Sequence, residues 1–123
     1  MPPHVDRLED GLSYHNYYHY SHWQDCQANK SDVSAHHKAV AAAYYTQAAA
    51  IGKPVLASEF GQSECYCPAA TAIQHAGVGW IAWELIAGHD QFGGFQGLFH
   101  VNGTARSEAE VKCLRALGEE AGV

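Results

Sequence analysis

The chain has 123 residues, room for one domain with a modest core. Hydrophobic residues make up 47% and charged residues 16%, which excludes a disordered chain. Net charge is −6, the seven Lys and Arg never cluster, and no apolar stretch reaches bilayer length, so neither nucleic acid nor membrane is an expected partner.

Nine His can offset part of the negative charge near pH 6. An acidic balance with three Trp, seven Tyr and four Phe suits a neutral polar substrate better than an anionic one. Residues 1–10 are polar, contain two Pro and read as a lead-in. They hold no apolar signal segment, so the expectation is either a protein that is not exported or a sequence whose start lies upstream.

Residues 11–17 read as an aromatic-rich strand. Alternation places Ser13, His15 and Tyr17 on one face and Leu12, Tyr14 and Asn16 on the other. Residues 18–29 are polar and irregular and read as a loop. Ser31-Asp32 can cap a helix. Val33, His37, Val40, Tyr44, Ala48 and Ile51 then recur at helical spacing over an Ala-rich background. Gly52 stops that helix.

The next stretch is Lys53-Pro54-Val55-Leu56-Ala57-Ser58-Glu59-Phe60-Gly61. Its apolar run is too short for a helix and suits a buried parallel strand. It delivers one carboxylate, Glu59, to the strand's C-terminal end, where α/β folds place their chemistry. A short loop follows to Cys67, and Pro68 suits a helix's first turn. Ala69, Ala72, Ile73 and Ala76 form that helix's small stripe, and Gly77 ends it. Residues 78–84 read as a third strand, with Gly79, Ile81 and Trp83 opposite Val78, Trp80, Ala82 and Glu84. A Gly-rich loop holds Asp90 and Gln91. Residues 98–101 form a short extended piece turned by Asn102-Gly103. Ser107 and Glu110 form a capping box. Val111, Leu114 and Leu117 line the last helix, which Gly118 closes. Strand and helix alternate three times, which argues for parallel strands with crossover helices.

Cys65 and Cys67 are too close for an easy mutual bridge, while either can pair with Cys26; Cys113 completes the set. Structural thiols or one disulfide are expected. No Cys-x-x-Cys pair occurs, and the spacing of His15, His19 and His22 matches no familiar ligand set, so neither metal nor cofactor is expected.

Three motifs now stand in order: Ser13-Tyr14-His15-Asn16-Tyr17, Lys53 to Gly61, and Gly79-Trp80-Ile81-Ala82-Trp83. Together they resemble the last three strands of the retaining clan of TIM-barrel glycosidases, with the cellulase-like glycoside hydrolase family 5 as nearest model. Gly97-Leu98-Phe99, Asn102-Gly103-Thr104 and Arg106 are similar to the end of those barrels. The resemblance runs from about Leu12 to Leu117. It implies a partial TIM (β/α)8 barrel, about the last three βα units, as a single partial domain over residues 1–123. It implies Glu59 as nucleophile, His15 and Tyr17 as the family's His-x-Tyr pair, and Trp83 as the floor of a sugar subsite. The family's acid/base Glu, preceded by Asn, has no counterpart, since no Asn-Glu pair occurs.

Retaining hydrolysis needs two carboxyl groups about 5 Å apart across the scissile bond. Glu59 supplies the attacking one, the Tyr17 hydroxyl and His15 ring can keep it ionised, and Trp83 offers a flat face for a sugar's C–H groups. The plain alternatives are a half-buried His15 and packing roles for Tyr17 and Trp83. Glu84 reads as structural, a partner for Arg106 or Lys53, and Glu64 lies in a loop. The expected partner is an oligo- or polysaccharide. A full barrel takes about 250 residues. The expectation is therefore a C-terminal piece of a larger enzyme that requires the missing barrel half, or else self-association, to cover an inward face including Val55 and Ile81. The alternative is a catalytically inactive carbohydrate-binding fragment.

Overall fold

A computed structural model describes residues 5–7, 11–18, 20, 22–61, 65–84, 97–100 and 102–122. The elements in order are β1 (Val5–Arg7), β2 (Leu12–His15), α1 (Trp23–Ala28), α2 (Lys30–Ala50), β3 (Val55–Glu59), α3 (Tyr66–His75), β4 (Gly79–Trp80) and α4 (Glu108–Glu120). The strands form one sheet in the order β1-β2-β3-β4. β2, β3 and β4 run parallel, and β1 lies antiparallel on the outer edge of β2. α2 carries the chain from β2 to β3, and α3 carries it from β3 to β4. This is an α/β fold with a three-strand parallel sheet, the crossover arrangement that parallel neighbours require.

One sheet face packs on the helices. Leu12, Tyr14, Val55, Ala57 and Val78 are buried there. Val33, Ala41, Tyr44 and Ala48 of α2, and Ala69, Ala70 and Ile73 of α3, complete the core. Alanines along both helices let the backbones come close to the sheet. Tyr14 stacks on Tyr44 with ring centroids 4.5 Å apart, a contact worth about 1 kcal/mol beyond its buried area. The Tyr14 hydroxyl is buried with no hydrogen-bond partner among the described residues, and that burial pushes its phenol well above the usual range. No described helix covers the other face. It carries Ile81, 54% exposed, and Trp83, 44% exposed. Val55, expected beside Ile81 on the inward face, belongs instead to the helix side, because it alternates with Leu56 and pairs with buried Leu12.

Several elements differ from the expectation. Residues 5–7 are a strand, because Val5, Asp6 and Arg7 pair with Tyr14, Ser13 and Leu12 and cover an edge otherwise left bare. α1 replaces part of the expected loop. Among residues 24–28 only Cys26 is buried, and it is tied to Cys65. α2 begins at Lys30 after Asn29, whose side chain donates to the Asp25 carbonyl at 2.7 Å. Asp32 thus sits in the first turn, where a carboxylate suits the helix dipole. Ala41 takes the buried place expected of Val40, and Ile51 is exposed. β4 holds only Gly79–Trp80, although Ile81 N still donates to the Ala57 carbonyl at 2.9 Å. α4 runs through Gly118 to Glu120, and Gly122, at φ +82°, is the residue that turns left-handed after it. All four cysteines pair, as Cys26–Cys65 and Cys67–Cys113, each with Cα atoms 5.9 Å apart. Met1 to His4, the Gly-rich loop with Asp90 and Gln91, Glu64, His19 and Val101 lie outside the described residues.

Ser107 caps α4 by accepting from Glu110 N at 3.3 Å, while Glu110 Oε2 accepts from Cys67 N at 2.5 Å. Glu110 is buried, and burial pushes its carboxyl above the usual range against the pull of the Cys67 amide and Lys30. The folded state therefore holds this proton more tightly than the unfolded chain. The stability it contributes is complete below the ordinary carboxylate range and is lost as pH rises through the raised value. Glu110→Gln keeps an acceptor for Cys67 and removes the titration. Its melting temperature should gain on wild type between about pH 4 and pH 7. A difference that stays flat across that range refutes the argument.

Candidate active site

The site forms where β2 and β3 end side by side. Tyr14 pairs with Ala57, but His15 pairs with Glu59, so Ser58 is an extra residue on β3. This bulge matters. Strict alternation would send Glu59 to the helix face with Val55 and Ala57; the extra residue turns it to the open face beside His15. The displaced Ser58 hydroxyl donates to the Tyr14 carbonyl at 3.3 Å. Asn16 N donates to the Glu59 carbonyl at 3.1 Å and carries the pairing one step further.

The Tyr17 hydroxyl donates to Glu59 Oε2 at 2.5 Å. His15 Nδ1 lies 3.6 Å from the same oxygen. The Glu59 side chain keeps 33% of its surface exposed, so it is held at one oxygen and open to a ligand. A phenol donor and an imidazole both stand at the oxygen that an attacking carboxylate would use.

Behind this pair lies a network that no sequence motif announces. Asn16 points away from His15 and Tyr17 and is buried. Its Oδ1 meets His36 Nε2 at 3.1 Å, and its Nδ2 meets His37 Nδ1 at 3.4 Å. Two successive α2 residues thus clamp the residue between the two Glu59 partners. Burial, then the neighbouring His37, pushes the His36 imidazole below its ordinary value. The one signal in the sequence was a His at position 37 on an otherwise apolar helical stripe. His37, Phe60 and Trp80 continue as edge-to-face rings, with centroids 6.0 and 5.8 Å apart.

Trp83 reaches the same end of the sheet through its backbone. Its amide donates to the Phe60 carbonyl at 2.7 Å, and it bridges Gly61, two residues past Glu59. The peptide joining Trp83 to Glu84 is cis. So His15 and Tyr17 contact Glu59 directly, and Trp83 stands on the adjoining segment with its ring exposed. Glu84 uses its amide to donate to the Tyr66 hydroxyl at 3.3 Å.

Gly61 makes this packing possible. At φ +106°, a Cβ there would lie 2.6 Å from the Trp83 carbonyl and deeper still into the Tyr66 ring. Gly61→Ala should therefore destabilise the chain by about 3 kcal/mol, combining backbone strain with overpacking. Urea unfolding measures this, and a midpoint unchanged from wild type would show that the close approach is relaxed at no cost.

Among the described residues no group of three His, Cys, Asp or Glu could hold a metal ion. No described helix is long and apolar enough to cross a membrane. A hollow of about 680 Å³ opens between Gly11, Tyr45, Pro54 and Gly79, at the opposite end of the strands from Glu59, and lies remote from its chemistry. Comparison with protein-family models, with curated proteins and with solved structures finds no match.

Proposed function

We propose that the chain is the C-terminal part of a retaining glycosidase barrel acting on a β-linked glycan, with Glu59 as its nucleophile. The observation that carries this reading is the Tyr17 hydroxyl bonded to Glu59 at the C-terminal end of a parallel sheet, on the face that no described helix covers. In the first step a Glu59 oxygen forms a bond to the anomeric carbon. The glycosidic C–O bond breaks, and the leaving oxygen takes the electron pair and a proton from an acid outside this chain. Water then cleaves the glycosyl ester and restores the carboxylate. Tyr17 and His15 hold the attacking oxygen, and Trp83 carries the sugar.

A second reading has one observation in its favour. In a whole barrel the outer edge of β2 belongs to another parallel strand, yet here β1 covers it antiparallel. A free-standing sugar-binding module without turnover would have its edge covered in this way.

Covalent trapping separates the two. A 2-deoxy-2-fluoro-β-glycoside with a dinitrophenolate leaving group needs no general acid, because that group departs unaided. The glucoside, mannoside and xyloside serve as the three probes. Peptide mass mapping should find the fluoroglycosyl group as an ester on Glu59. Labelling at another carboxylate, or none with any of the three, defeats the nucleophile assignment.

A further inference from the structure

We infer that Tyr66 is the positioning residue of the sugar platform: its hydroxyl fixes the Trp83 backbone at the mouth of the site. The inference rests on the reading above for what Trp83 does, and on geometry alone for how Trp83 is held. Tyr66 opens α3 and is buried. Its hydroxyl donates to the Trp83 carbonyl at 2.9 Å and accepts from Glu84 N at 3.3 Å and Gly97 N at 3.1 Å. One oxygen thus satisfies three backbone groups from two segments that belong to no helix or ladder strand. Leu98 N donates to the Glu84 carbonyl at 3.1 Å and closes the same junction. The short β4 leaves this stretch without a regular ladder of its own.

Tyr66 is itself anchored more firmly than a helix start requires. Cys65 before it is tied to α1, and Cys67 after it is tied to α4. Its ring stands edge-on to Phe60 with centroids 6.3 Å apart, in space that Gly61 leaves free. The line of support therefore runs from two disulfides through one phenol to the backbone that carries the exposed Trp83 ring. Glu59 is reached by a different route, through Tyr17 and the Asn16 clamp. Loss of the Tyr66 hydroxyl should disturb Trp83 and leave the carboxylate alone.

The test uses the full chain grown with 5-fluorotryptophan, with the Trp83 resonance assigned by Trp83→Phe. In Tyr66→Phe the Trp83 fluorine line should shift and broaden. Affinity for β-1,4-linked oligosaccharides of glucose, mannose or xylose should fall about 10-fold with covalent trapping at Glu59 retained. A Trp83 line unmoved in Tyr66→Phe overturns the inference, whether or not any glycan binds. If the wild type binds and traps none of the glycans, the glycosidase reading fails by itself, and the fluorine line still decides how Trp83 is held. Should Tyr66→Phe not fold, hydrogen exchange in the wild type decides. The Glu84 and Gly97 amides should exchange at least about 100-fold more slowly than unstructured ones, and free exchange at both overturns the inference.

Discussion

Glu59→Gln should lower the rate of covalent glycosyl trapping, and of turnover in a complete enzyme, by at least about 10³-fold, while sugar binding persists. A carboxamide has the shape of the carboxylate but no anionic oxygen to attack a carbon. Its own oxygen can still accept from Tyr17, so the local geometry survives the change. Tyr17→Phe gives the contrast. It keeps the carboxylate and removes one hydrogen bond to a charged acceptor, worth about 1.5–3 kcal/mol, so trapping should slow by roughly 10- to 100-fold. The two variants differ in kind: the first removes the reacting group, the second loosens its support. Normal trapping in Glu59→Gln would move the nucleophile elsewhere. Trapping unaffected in Tyr17→Phe would show that the phenol does not support the attacking oxygen.

The residues of this cluster are legible in the sequence, but their meeting is not. Leu12, Tyr14 and Asn16 against Ser13, His15 and Tyr17 is plain alternation, and the structure keeps those two faces apart. Val55 to Ala57 announces its strand by composition, and Gly52 and Gly77, both at positive φ, mark the ends of the long and short crossover helices. The bulge at Ser58 has no such mark. A two-residue period read through Ser58 puts Glu59 on the buried side, and only the register beside β2 shows it turned outward. The Asn16–His36–His37 clamp is equally hidden, because a polar residue buried by long-range partners looks, in sequence, like any polar residue at a strand end. α1 fails to announce itself for a related reason. Its buried Cys26 is crosslinked to Cys65, a partner 39 positions away that no local pattern announces. What remains invisible is thus what two distant segments do to one another.

Reduction of the two disulfides should remove most of the stability of the domain, the second large effect expected here. Cys26–Cys65 and Cys67–Cys113 span 39 and 46 positions of chain. Closing loops of that length in the unfolded state is worth about 4 kcal/mol each on a chain-entropy account. A domain of this size has about 5–15 kcal/mol in total. The two crosslinks share the first turn of α3, joining it to α1 on one side and α4 on the other, so their effects will not simply add. Cys26 and Cys65 are fully buried, and among residues 24–28 of α1 only Cys26 is buried, so docking of α1 should be the first to be lost. Urea unfolding with and without reductant, alongside a count of free thiols by mass, measures the effect. The midpoint should fall sharply once all four thiols are free, with Cys26→Ser and Cys67→Ser each giving part of the fall. The same dependence predicts soluble chain from an oxidising compartment and aggregated chain from a reducing one. A fully reduced chain that unfolds at the wild-type midpoint would show that the sheet and α2 hold the fold unaided, and that the crosslinks contribute little to keeping Tyr66 and Trp83 in place.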